Sequence, residues 1–168
     1  MKRPLAAAFA GGALLIMGSA AFAADLTYLA HLSGSNEVPA RDTRARGTAV
    51  FHLSPDGTEL EYRLVVANIE NVVAAHIHIG SASENGPIVA FLFGNEAPGG
   101  GRVSGVLATG TITSADLIGP LAGQPLSALV AAIEAGTAYV NVHTNDGELP
   151  INEGPGDFPG GEIRAQME

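Results

Sequence analysis

The sequence contains no cysteine. Disulfides, thiolate metal sites and a cysteine nucleophile are thereby excluded, whatever the redox state of the compartment. Methionine is nearly as scarce: of the three present, Met1 and Met17 lie in an N-terminal leader and only Met167 lies beyond it. A blue-copper electron carrier, which needs a cysteine ligand, and a methionine-rich copper(I) carrier are both disfavoured. Positive charge is in short supply too, with 8 Lys and Arg against 17 Asp and Glu and a formal net charge of -9. Setting aside Lys2 and Arg3 in the leader leaves 8 minus 2, or 6, basic residues against the same 17 acidic ones, a formal -11. Phosphate backbones and anionic membrane surfaces are held by clustered Lys and Arg. Neither nucleic acid nor a membrane surface is therefore an expected partner, whereas an acidic field suits a cation or a basic protein.

Long apolar runs are missing as well. A spanning helix needs roughly 20 apolar residues, and the stretch from Leu5 to Met17 is shorter. It follows Lys2 and Arg3 and precedes the small-x-small triplet Ala21-Phe22-Ala23, which reads as a secretory signal peptide over residues 1–23. The expected destination is periplasmic or secreted. No cysteine stands at the cleavage site to take a lipid anchor, so no membrane attachment is expected after cleavage. Residues 24–168 are expected to form one domain, large enough to bury a core without cross-links.

What is present is alternation. Short runs of alternating apolar and polar residues, punctuated by Gly, Pro, Asn and Asp, predict antiparallel strands. The candidates are 26–32, 47–53, 60–67, 72–79, 88–93, 103–111, 138–143 and 161–167, which together suggest an all-β sandwich or barrel. Ser54-Pro55-Asp56-Gly57 is expected to join the second and third as a hairpin. One short helix is predicted in the C-terminal third, where Leu126, Leu129, Val130 and Ile133 share a face between Pro125 and Gly136. A further helical turn is expected at Ser114. The loop 95–102 has no following helix to make it a phosphate cradle. The acidic loop 145–159 lacks EF-hand spacing and is expected to be a solvated rim.

The informative residues are histidines. In a strand, residues two apart share a face about 6.6 Å apart, so His76 and His78 project together from Ala74-Ala75-His76-Ile77-His78-Ile79-Gly80. His143 projects with Tyr139 and Asn141 from Tyr139-Val140-Asn141-Val142-His143-Thr144. Two imidazoles from one strand and one from a neighbour can close around one small cation. In the last strand Glu162, Arg164 and Gln166 share a face. Asn141, Glu162 and Gln166 are candidate outer partners for the imidazole N–H groups. Arg164 is expected either to draw in a small anion or to pair with Glu162. His31 and His52 are expected at the surface. No Gly-x-Ser-x-Gly elbow is present.

Several segments together resemble the CHRD (chordin-type) domain of bacterial exported proteins. They are Leu32-Ser33-Gly34-Ser35-Asn36-Glu37-Val38-Pro39, Ala75-His76-Ile77-His78-Ile79-Gly80, Asn85-Gly86-Pro87-Ile88-Val89, Gly110-Thr111-Ile112-Thr113 with Asp116-Leu117, Tyr139 to Thr144, and Pro159-Gly160-Gly161-Glu162-Ile163-Arg164. The resemblance implies an immunoglobulin-like β-sandwich over 24–168. The His-x-His strand, the later Val-x-Val-His strand and the Gly-Gly strand with its arginine are also similar to the copper site of copper/zinc superoxide dismutases. That similarity implies a metal site of His76, His78 and His143, with Arg164 as the catalytic residue. No histidine lies between His78 and His143 to bridge copper to zinc, so chemistry of that kind would run on copper alone. Copper is the expected metal, ahead of zinc for hydration or hydrolysis and ahead of haem. The rival expectation is a metal-free module whose polar face binds a protein partner.

Overall fold

Alternating burial builds the fold strand by strand. In the computed structural model, which describes residues 26–168, strand β1 (Leu26–Ser33) turns Tyr28, Ala30 and Leu32 into the core and His31 to solvent. The expected signal peptide lies outside the described residues. β2 (Arg46–Leu53) and β3 (Leu60–Glu70) pair in full register, Leu53 opposite Leu60, around the predicted turn. There Ser54 and Asp56 take hydrogen bonds from the backbone N–H of Thr58, and Gly57 supplies a φ of 71°. β4 (Val72–Ile79), β5 (Ile88–Phe93), β6 (Arg102–Ile112), β7 (Ala138–Thr144) and β8 (Ile163–Gln166) complete the set. Each predicted strand is present, β8 being shorter than expected.

All eight strands belong to one antiparallel sheet, in the order β5-β4-β7-β8-β1-β2-β3-β6. The expected two layers are the halves of this continuous sheet, curled until its edge strands β5 and β6 approach one another. Tyr62 of β3 bridges the seam, donating its hydroxyl to the carbonyl of Leu92 on β5 at 2.7 Å. Gly110, directly opposite Tyr62 on β6, leaves the room its ring needs. A single apolar core fills the interior, drawing Phe51, Leu64, Ile77, Val89, Ile112, Val140 and Ile163 from seven strands. Helix α1 (Leu126–Glu134) covers one end with Leu129 and Ile133. Pro125 stands just before its first residue, and Gly136 follows it with a φ of 67°. The predicted turn at Ser114 is a short 3-10 helix closed by a capping box between Thr113 and Asp116.

β4 and β7 are buried along nearly their whole length on both faces. Their inward side chains, Ala75 and Ile77 against Val142 and Val140, are apolar core. Their outward face carries Ala74, His76 and His78 beside Tyr139, Asn141 and His143, and it is largely buried although most of these side chains are polar. That covered outer face holds the chemistry.

Candidate metal centre

β4 and β7 pair so that Ala74 faces His143, His76 faces Asn141 and His78 faces Tyr139. This register places His143 diagonally beside His76 and puts all three histidines on the outer face. Ring centroids are 4.8 Å apart for His76 and His143, 5.6 Å for His76 and His78, and 5.8 Å for His78 and His143. One nitrogen from each ring can be chosen so that all three lie within 4.8 Å of one another. The convergence expected from strand phase is therefore present.

Loop carbonyls fix the rings. His78 Nδ1–H donates to the carbonyl of Gly86, and His143 Nδ1–H to that of Pro159, each at 2.9 Å. A neutral imidazole carries one N–H, so Nε2 of both rings is left as a bare lone pair. His76 Nδ1 lies 3.1 Å from His143 Nε2 and, facing that lone pair, must be the donor of the two. Nitrogens on bonds of about 2.0 Å to one tetrahedral ion sit roughly 3.3 Å apart, so this approach is close to the edge of a coordination polyhedron. Nε2 of His76 and of His78 are buried with no partner. An unpartnered buried polar atom costs about 1–3 kcal/mol, and a cation bound at His78 Nε2 would remove that cost there.

Electrostatics keep the rings neutral. Burial, reinforced by the neighbouring His143 and His78, pushes His76 down to about 4. Burial also takes His143 to about 4, against the opposing pull of its bond to Pro159. His78 is lowered chiefly by burial, with the Arg164 charge adding to the shift and the Gly86 bond opposing it. All three rings are thus uncharged at neutral pH, the form a metal binds; His78 and His143 offer Nε2 as they stand, and His76 offers Nδ1 once its proton has moved to Nε2. Phe91, 45% exposed, stands edge-on to His76 with centroids 4.8 Å apart, so this side of the cluster lies just beneath the surface.

The surrounding polar residues depart from expectation. Glu162 is fully buried but holds no imidazole; its carboxylate accepts from Thr43 Oγ1 at 2.6 Å, Thr144 Oγ1 at 2.7 Å and Gly156 N–H at 2.9 Å. It ties two loops to β7, and the expected pair with Arg164 does not form. Asn141 points its Nδ2 at Glu37 Oε2, 3.5 Å away, and packs against Gly161. Gln166 donates to the carbonyls of Gly80 and Gly136. Arg164, 1% exposed, donates to Ser81 O at 2.6 Å and Asn85 Oδ1 at 3.1 Å, and its Cζ lies 3.4 Å from the Tyr139 ring centroid. Its guanidinium is separated from the histidines by that ring. For Glu162, Asn141 and Gln166 the physical reason is that the N–H groups of His78 and His143 meet loop carbonyls and that of His76 meets His143, and strand phase says nothing about where a loop carbonyl falls. His31 and His52 are exposed as expected and stand outside the cluster.

Strand phase did not single out Gly86, Pro159 or Glu37, and it placed Tyr139 on the histidine face without giving it a role. Glu37 is 5% exposed, and burial pushes its carboxyl up to about 7 in spite of the Arg164 and Arg41 charges. It lines a pocket of about 440 Å³ with Arg164 and Gln166, beside the histidine face. The acidic loop is only partly a solvated rim: 147–153 is exposed, but Asp157 and Phe158 are buried and the loop ends over His143.

No curated protein and no solved structure matches the chain. The family model of the CHRD domain matches residues 28–167, spanning every strand but the first residues of β1 and both segments that carry the histidines. The chain belongs to the CHRD domain family.

Proposed function

We propose that this chain is an exported protein that binds one transition-metal ion, copper before zinc, through His76 Nδ1, His78 Nε2 and His143 Nε2. The observation that carries the reading is the convergence of three neutral imidazoles, two of them locked by loop carbonyls into the tautomer that leaves Nε2 free. Copper ranks first because nitrogen donors bind it more tightly than the other divalent first-row metals. When bound, copper would supply one-electron chemistry toward a small oxidant such as superoxide, or would simply be carried. The protein's own residues do the rest: loop carbonyls hold the His78 and His143 rings, and Phe91 packs edge-on against His76. Export is proposed on the leader over residues 1–23.

A metal-free protein-binding module is the second reading. It is favoured by Leu149 and Ile151, 86% and 50% exposed at the tip of the acidic loop.

One titration separates the two. The chain has no tryptophan and only 3 tyrosines, and Tyr139 stacks on His78 with centroids 4.9 Å apart. Copper(II) added to residues 24–168, purified without a His tag, is expected to quench tyrosine emission and to saturate at one equivalent. Emission that stays flat through several equivalents would reject the metal reading and leave the binding module.

A further inference from the structure

The three histidines are not held alike. His143 donates to the Pro159 carbonyl and accepts from His76, and His76 rests on His143 and on the half-exposed Phe91. His78 alone is stacked face to face on an aromatic ring. Its imidazole lies nearly flat on the Tyr139 ring, with planes 10° apart. Its Nδ1–H ends on the Gly86 carbonyl, and the Gly86 N–H in turn donates to the Tyr139 hydroxyl, both at 2.9 Å. Tyr139 and His78 are thus joined twice, ring to ring and through one glycine. That position admits only glycine, since a Cβ there would run into the carbonyl of Ile79.

Arg164 completes the arrangement. β4 and β8 flank β7 on opposite sides, so the Tyr139 ring is held between the His78 imidazole and the Arg164 guanidinium. A cation over an aromatic face is attracted by the ring quadrupole. Arg164 is anchored in turn to Ser81 and Asn85, in the same loop that carries Gly86, and to Gln166 on its own strand. None of these contacts leads to a coordination position.

We propose that Tyr139 is the positioning residue of the metal centre, setting the direction of His78 Nε2, and that Arg164 acts through it as a cationic backstop. This rests on the metal reading above. Losing an outer partner of a metal-bound histidine typically weakens binding about 10- to 100-fold; for His78 that partner is the Gly86 carbonyl, and Tyr139 holds Gly86 through its hydroxyl while its ring supports the imidazole face.

The test compares copper(II) affinity by chelator competition, the paramagnetic resonance spectrum of the copper form, and azide affinity of that form. Tyr139→Leu is expected to weaken copper(II) binding by about 10- to 100-fold and to change the copper hyperfine splitting. Arg164→Gln is expected to move the splitting in the same direction while azide affinity stays within about twofold of wild type, a change small beside the loss expected of a lost outer partner. Wild-type affinity and spectrum in Tyr139→Leu would overturn the proposal, as would an Arg164→Gln protein with lowered azide affinity and an unaltered spectrum.

A measurement without substitution covers the case in which a variant fails to fold. In the wild-type apoprotein the His78 ring protons should resonate upfield of those of exposed His31, shifted by the Tyr139 ring current, and should stay upfield when zinc(II) binds. Resonance at the position of an exposed histidine overturns the proposal. Failure of the wild type to bind any metal sinks the underlying reading, whereas normal binding with unshifted His78 protons sinks only the role of Tyr139.

Discussion

His76→Ala/His78→Ala is expected to lose copper binding altogether, while His31→Ala/His52→Ala retains it. The first pair removes two of three converging donors; the second removes two exposed rings outside the cluster. The loss should be visible in stability as well as in stoichiometry. A ligand that binds only the folded state stabilises it by about 4 kcal/mol when present at roughly a thousand times its dissociation constant. In a domain of this size that is a rise in Tm of roughly 10 °C or more. Copper should therefore raise the Tm of the wild type and of the His31/His52 variant, and leave that of the His76/His78 variant unmoved. Equal shifts in all three proteins would place copper elsewhere, on surface histidines or carboxylates. Without metal, the His76/His78 variant also loses two unpartnered buried nitrogens, so its apo stability need not fall.

Acid should destabilise the apoprotein, and Glu37 should resist it. His76 and His143 are each held at about 4 in the folded state, below the ordinary histidine value near 6.5. The unfolded chain then binds more protons between pH 6.5 and 4, so the stability these rings confer is complete above pH 6.5 and is lost as pH falls toward 4. Each would give up roughly 2 kcal/mol between pH 7 and pH 5. Glu37 has the opposite sign. Its folded value is raised from 4.5 to about 7, so the folded chain binds the extra proton and its contribution is present in full below 4.5 and lost as pH rises through 7. Lowering pH from 7 to 5 restores roughly 2 kcal/mol through this carboxyl, which offsets one histidine. Urea unfolding of the metal-free wild type should show a loss of about 2 kcal/mol over that interval, and Glu37→Gln a loss of about twice as much. Parallel stability curves for the two proteins would contradict the account of Glu37. A wild-type curve that rises toward pH 5 would contradict the account of the histidines.

The histidine convergence was legible in the sequence because it rests on one property of the backbone. A strand turns successive side chains to opposite faces, so His76 and His78 had to share a face with Ile77 on the other, and the same count put His143 with Asn141 and Tyr139. Only the pairing of β4 with β7 had to be supplied by the fold, and the apolar faces of both strands, buried together in the core, supply it. The strands, the hairpin at Pro55 and Asp56 and the helix after Pro125 were legible for the same local reasons.

What surrounds the histidines was not legible, because it comes from loops. Gly86 and Pro159 contribute carbonyl groups, which every residue has, so no side-chain pattern marks them. Glu37 lies about forty residues before His76 and reaches the face only because the segment after β1 folds back over β7 and β8, tied by Asn36 to the Arg164 carbonyl and by Asn85 to Val38. Glu162 and Arg164 share a face as their spacing requires, yet each finds partners in a different loop. The continuous curled sheet escaped a reading of separate strands because closure depends on strand order, which sequence spacing leaves open.

The most direct test of the central claim is X-ray absorption at the copper edge of residues 24–168 loaded with one equivalent of copper(II). The account predicts a first shell near 2.0 Å containing three imidazole nitrogens, with the multiple-scattering pattern of intact rings. A shell of oxygen donors with no imidazole scattering would contradict it.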